Sequence, residues 1–173
     1  QDKWQLLLEK MEAMDVAIKG KNLDDIAHQP EIRALALIKV KRHAEALTIL
    51  EPHLTYQITN LGADHFLTTL TRGLMATALM QNNQTDLAKK AFENSIKHLN
   101  APESTTGDFA ETSIQRKTKR FILQSYMQLL AKSAASRPQD AQTLFQISDQ
   151  FGTSSVQQAL TEAAVRALSL IHI

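Results

Sequence analysis

Histidines and carboxylates are the side chains with which this chain could do chemistry, and neither kind is spaced for it. The histidines, His28, His43, His53, His65, His98 and His172, include no His-x-x-x-His pair. Such a pair would set two imidazoles on one helix face, and zinc needs three or four converging ligands. The acids are scattered except for Asp24-Asp25. Glycoside chemistry needs two carboxyls facing each other roughly 5–10 Å apart, whereas neighbours on a helix diverge. That pair is better placed at a helix N-terminus. No Gly-x-Ser-x-Gly elbow occurs, and the 5 glycines are too dispersed for a phosphate-cradling loop. With no cysteine, disulfides, thiolate zinc sites and cysteine nucleophiles are excluded from these residues. The expectation is a chain with no catalytic residue, no metal site and no cofactor.

The sharpest charged feature is Arg116-Lys117-Thr118-Lys119-Arg120. From Thr112 to Gln139 six basic residues occur (Lys132 and Arg137 complete the set) without one acid. Arg116, Lys119 and Arg120 share a helix face at spacings of three and four. Either acids of a neighbouring helix balance this face, or it is a docking patch for an acidic peptide or phosphate. A nucleic-acid surface would interleave aromatic platforms with the cations, and only Phe121 and Tyr126 are near. An acidic protein partner therefore ranks above nucleic acid, which stays as the alternative.

The elements that would carry these residues are helical. At 173 residues, 43% hydrophobic and 21% charged, the chain suits one folded domain or a short solenoid. Only 5 Gly and 4 Pro leave few turns, which favours long helices over a many-stranded sheet. The net charge of +1 names no partner. The most apolar run, Phe66–Met80, is broken by Thr68, Thr69, Thr71 and Arg72, so no membrane span is expected. The opening residues are too charged for a signal peptide, and a start at Gln rather than Met suggests a piece of a longer parent.

In order, Trp4, Leu7, Leu8, Met11, Met14 and Ile18 form one face of a first helix stopped by Gly20. A short helix over Leu23–Gln29 follows, with Asn22 as its cap, and Pro30 closes it. Pro30–Lys41 with His43–Asn60 makes a hairpin in which Pro52 should kink or shorten the second helix. Gly62–Gln81 and Gln84–Asn100 make the next, bent at Gln81-Asn82-Asn83-Gln84, with Thr85 as a cap and Asp86 in the first turn. Ala34, Leu37, Ala46 and Leu50 recur 42 positions later as Ala76, Leu79, Ala88 and Phe92. Small residues let paired helices approach, and the larger ones fill the space beside them. Glu103–Asp108 reads as a loop. Phe109–Ala135 and Pro138–Phe151 form a third pair, where Ala141, Phe145 and Ser148 echo Ala88, Phe92 and Ser95. Gly152 then breaks the chain, and Ser154 or Ser155 caps a last helix, Val156–Leu170.

The run LALIKVKRHAEALTILEPHL resembles tetratricopeptide repeats: a helix, a short basic corner, then aromatic-x-x-Ala-Leu with His43 in the aromatic place. The 42-residue period departs from the usual length of about 34. A second resemblance covers Leu144–Leu168, where Gly152, Ser155, Val156, Gln157, Ala159 and Leu160, enclosing Thr153-Ser154, are similar to the junction that precedes the CHAT domain of bacterial repeat proteins. CHAT is a caspase-related peptidase module whose catalysis needs a His and a Cys, so that activity would belong to a parent protein.

The resemblance implies an all-α, tetratricopeptide-like superhelix of three hairpins (30–60, 62–102 and 109–151), N-terminal helices over 1–29 and a last helix over 153–170. It would act as a protein-interaction scaffold, not an enzyme. Its groove would be lined by His28, Glu31, Leu35, Ile38 and Lys39, then by Leu70, Gly73, Thr77, Met80 and Gln81, and then by Tyr126. The basic residues Arg116, Lys117, Lys119 and Arg120 would continue that surface toward an acidic protein or peptide.

Overall fold

The computed structural model describes residues 2–18, 29–99 and 112–149. Seven helices account for nearly all of them: α1 (Asp2–Ile18), α2 (Pro30–Lys39), α3 (His43–Leu61), α4 (Phe66–Gln81), α5 (Thr85–Leu99), α6 (Ser113–Ser133) and α7 (138–149). No strand occurs among the described residues, so the protein is all-α. The chain divides into two compact units, Gln1–Tyr126 and Met127–Ile173, with the boundary inside α6. The expected stop at Gly20, the short helix over 23–29, the loop 103–108 and the helix over 153–170 lie outside the described residues.

Within the first unit each helix packs on its successor from α2 to α5, α1 lies on α2, and α2 also touches α4. The spacing of small residues explains the pairing. Ala34, Ala46, Ala76, Ala88, Leu50 and Phe92 are all fully buried, and Leu37 and Leu79 nearly so. Burying a side chain the size of Leu or Phe contributes about 1.5–3 kcal/mol.

The 42-residue period extends to the backbone. At the first corner Lys41 takes φ 69°, its N–H reaches the Ile38 carbonyl (3.1 Å) and the Arg42 N–H reaches that of Leu37 (2.8 Å). At the second corner Asn83 takes φ 62°, its N–H reaches Met80 (3.2 Å) and the Gln84 N–H reaches Leu79 (2.9 Å). Both are Schellman closures, in which a left-handed residue lets two N–H groups fold back onto carbonyls the helix end leaves free.

Several local expectations are corrected. Gly62, at φ 95°, ends α3 instead of opening α4, which starts at Phe66 with the His65 ring Nδ1 accepting the Leu67 N–H (3.2 Å). Pro52 does not end α3, which runs on to Leu61. Both Pro52 and Thr48, whose carbonyl it leaves without its helix partner, are exposed, so water can serve that carbonyl. Thr85 is the first helical residue of α5, not its cap, and the Gln84 carbonyl accepts the Ala88 N–H (2.9 Å). Helix α6 starts at Ser113. A reciprocal capping box sets that start: Thr112 N–H donates to Gln115 Oε1 (2.8 Å) and Gln115 N–H to Thr112 Oγ1 (3.2 Å).

In the second unit the expected echo of the repeat fails. Ala141 is exposed, Phe145 is 74% exposed and Ser148 half-buried, whereas Ala88, Phe92 and Ser95 are all buried. The corner 134–137 contains no left-handed residue. Ser133 Oγ donates instead to the buried Asp140 carboxylate (2.5 Å) across the start of α7.

Helix α4 is the most enclosed element. Thr68–Thr71, Gly73, Leu74 and Ala76–Leu79 are all buried, so every side of it is covered. Gly73 marks the tightest approach: a Cβ there would stand 2.7 Å from Ile122 Cγ2 and 2.9 Å from Ser95 Oγ. Replacing glycine inside a helix by alanine would ordinarily stabilise by about 1 kcal/mol. Overpacking costs about 1–3 kcal/mol and should prevail here. Gly73→Ala is expected to lower the urea midpoint, and adding Ile122→Val should restore part of it, giving a non-additive double-mutant cycle.

Candidate functional site

Two sets of polar side chains in the first unit stand apart from its packing. The first is the outer face of α6. Arg116, Lys117 and Arg120 are exposed and Lys119 is half-buried, while Thr118, Ile122 and Leu123 on the other side are buried. Arg116, Lys117 and Lys119 make no ion pair among the described residues, and Arg120 has an interaction of its own. The alternative in which neighbouring acids balance this face therefore finds no support at those three positions. Elsewhere the unit does pair its charges: Arg33 with Asp15 (2.5 Å), and Arg42 in a two-pronged contact with Glu45 (2.6 and 2.7 Å). That contact lowers the Glu45 carboxyl below its usual range, through its hydrogen bond first.

The aromatic neighbours of this face are already engaged. Lys39 Nζ lies 3.4 Å from the centre of the Phe121 ring. Burial lowers the Lys39 pKa, while the ring face attracts the ammonium and works the other way. Tyr126 is buried and stacks on Phe92, with centroids 5.0 Å apart. Tyr126 is therefore not free to stack on a nucleic-acid base, and one face of Phe121 is occupied.

The second set is a polar node joining α2, α3 and α4. Glu31 Oε1 accepts from His53 Nε2 (2.8 Å), from Gln57 Nε2 (2.9 Å) and, at longer range, from Thr71 Oγ1 (3.4 Å). A carboxylate offers only acceptors, so the imidazole carries a proton on Nε2. The Glu31 and His53 side chains are 26% and 20% exposed, whereas Gln57 is 3% exposed and Thr71 fully buried. Gln57 Oε1 and Thr68 Oγ1 are buried without a partner.

No known family model, curated protein or solved structure matches the chain.

The groove expected from the resemblance is largely interior. Leu35, Ile38, Leu70, Gly73, Thr77 and Tyr126 are buried, so they cannot line an open surface. The physical reason is that a second neighbour covers the side of α2 and α4 that a groove would need. Ile122 and Phe121 of α6 stand at Gly73 and Lys39. Of the remaining expected residues, Gln81 is exposed, Glu31, Lys39 and Met80 are half-buried, and His28 lies outside the described residues. Sequence reasoning missed His53, Gln57 and Thr71 as companions of Glu31. Their signal was the repeat itself, since Glu31, His53 and Gln57 become Gly73, Ser95 and Leu99 after 42 positions. Among the described residues no three His, Cys, Asp or Glu side chains gather to hold a metal, and no described helix is long and apolar enough to cross a membrane.

His43 tests the packing around the first corner. It begins α3, its Nε2 is buried without a partner, and burial first, then the Lys41 charge, lower its pKa below 6.5. The unfolded chain then binds the proton more readily, so stability falls as pH drops below about 6.5. In His43→Phe that share of the acid loss should vanish. The melting temperature of the variant minus that of the parent should rise from pH 7.5 to pH 5.5.

Proposed function

We propose that this chain is a protein-interaction module. It is a tetratricopeptide-like stack of helical hairpins that captures an acidic segment of a partner protein on the outer face of α6. The repeat reading is supported by the two corners, which share a left-handed residue and the same pair of closing hydrogen bonds at a 42-residue interval. The binding reading is carried by one observation: Arg116, Lys117 and Lys119 project from one helix without an ion pair among the described residues. Ile114, 50% exposed and one turn before Lys117, adds an apolar contact beside the charge. The chain acts by binding. By resemblance of its C-terminal segment it is the regulatory arm of a larger CHAT-type peptidase, whose chemistry resides outside these residues.

Surface charge pairs contribute about 0.2–1 kcal/mol each. Neutralising three should cost about 1–2 kcal/mol, or roughly tenfold in affinity. Fluorescence anisotropy with a labelled Asp/Glu-rich peptide should therefore report about tenfold weaker binding by Arg116→Gln/Lys117→Gln/Lys119→Gln, with unchanged thermal stability. Tighter binding of a single-stranded oligonucleotide than of the peptide, with a steeper salt dependence, would overturn the assignment of an acidic protein partner.

A further inference from the structure

The polar node at Glu31 has a counterpart in the second repeat of the same chain. Forty-two positions on, Glu31, His53 and Gln57 are replaced by Gly73, Ser95 and Leu99. There Gly73 and Ser95 meet closely, and Ser95 and Leu99 are buried. Packing one hairpin on the next thus needs no charge at this position. In the first repeat a half-buried carboxylate stands there instead, beside a buried amide oxygen with no donor. An unpaired buried acceptor is destabilising. The second repeat avoids that cost, so the first retains it for something other than packing.

Two acceptor oxygens of the node, one on Glu31 and one on Gln57, are unused. Three donors converge on Glu31 Oε1, while no hydrogen bond among the described residues reaches Oε2. Gln57 Oε1 is a buried carbonyl oxygen without a partner. One negative charge surrounded by acceptors calls for a compact cation with several N–H bonds. Glu31 and His53, about a quarter and a fifth exposed, form the solvent edge of the node, and Tyr56 flanks that edge, 63% exposed and stacked on His53 with 6.5 Å between centroids. An ammonium is attracted to an aromatic face by the ring's quadrupole.

We propose that Glu31, Gln57 and Tyr56 form a binding site for a primary ammonium group. Glu31 supplies the counter-charge, Gln57 Oε1 a buried acceptor, and Tyr56 the aromatic wall. The ammonium belongs either to a free amine or to a lysine side chain of a bound protein. This site lies apart from the basic face of α6 and stands or falls independently of it.

The test is a titration of ¹⁵N-labelled protein with n-butylammonium chloride and, separately, with an acetylated Gly-Gly-Lys-Gly-Gly peptide, using n-butanol as the uncharged control. Both amines should give saturable shifts at the Gln57 side-chain amide and at residues 53–57, and butanol should not. Losing a hydrogen bond to a charged group costs about 1.5–3 kcal/mol, so Glu31→Gln should weaken binding by tenfold or more. Tyr56→Ala, at an exposed position that leaves folding intact, should weaken it about two- to fivefold. Gln57→Leu, the residue type of the second repeat, should bind less well while being no less stable than the parent. Tighter binding of the peptide than of butylammonium would assign the ammonium to a partner's lysine, and the reverse order to a free amine. The proposal is overturned by the absence of saturation with either amine, by equal response to butanol, or by unweakened binding in Tyr56→Ala. A Gln57→Leu variant that loses stability yet keeps its amine affinity would make the node a packing element only.

Discussion

The separation between paired helices in the first unit is set by residues with almost no side chain. Ala34 and Ala46 in one hairpin, and Ala76 and Ala88 in the next, are fully buried where the helices meet. Any larger residue would push the pair apart and leave Leu50 and Phe92 with gaps that dispersion cannot bridge. Gly73 carries the same logic furthest, since Ile122 occupies the place a Cβ would take. The corners then hold the register. Lys41 and Asn83 accept left-handed backbone, costly for lysine and milder for asparagine. In return the carbonyls of Leu37, Ile38, Leu79 and Met80 gain partners.

Because most of α4 and the middle of α2 are covered, the open polar groups are those that packing leaves over. On α6 that remainder is positive: the inner side carries Thr118, Ile122 and Leu123, and the cations are confined to the outer side. Lys39 extends this character to the end of α2, where its ammonium is held against the Phe121 ring. At the α2–α3–α4 junction the remainder is negative and acceptor-rich. The two features have opposite polarity and lie on different elements, so they would engage different chemical groups.

The contrast between the two repeats separates what packing requires from what it tolerates. Where Gly73, Ser95 and Leu99 stand, the interface is small and close-packed, and Ser95 disposes of its hydroxyl by donating to the Thr69 carbonyl (2.7 Å). Where Glu31, His53 and Gln57 stand, a charge is neutralised by three donors while an amide oxygen goes without. The fold accepts both because the alanine contacts and the corners, not this position, hold the hairpins together.

Much of the helical architecture was legible in the sequence because its causes are local. Periodic leucines and alanines mark helix faces, Asn82-Asn83 marks a corner, and the 42-residue recurrence marks two copies of one unit. The Thr112-x-x-Gln115 box was equally local, although the preceding Phe109 drew the expected helix start too early. The apparent echo at Ala141 and Phe145 shows the limit of pattern alone, because the same residue types 53 positions on stand exposed when no partner covers them. By itself, then, the sequence determined helices, corners and repeat, which depend on hydrogen bonds and side chains within a few turns. Only the tertiary structure decided that Leu35, Leu70 and Thr77 are core and not groove, and that Glu31, His53, Gln57 and Thr71 converge. Both depend on which helix covers which face, and residues up to 40 positions apart come together there.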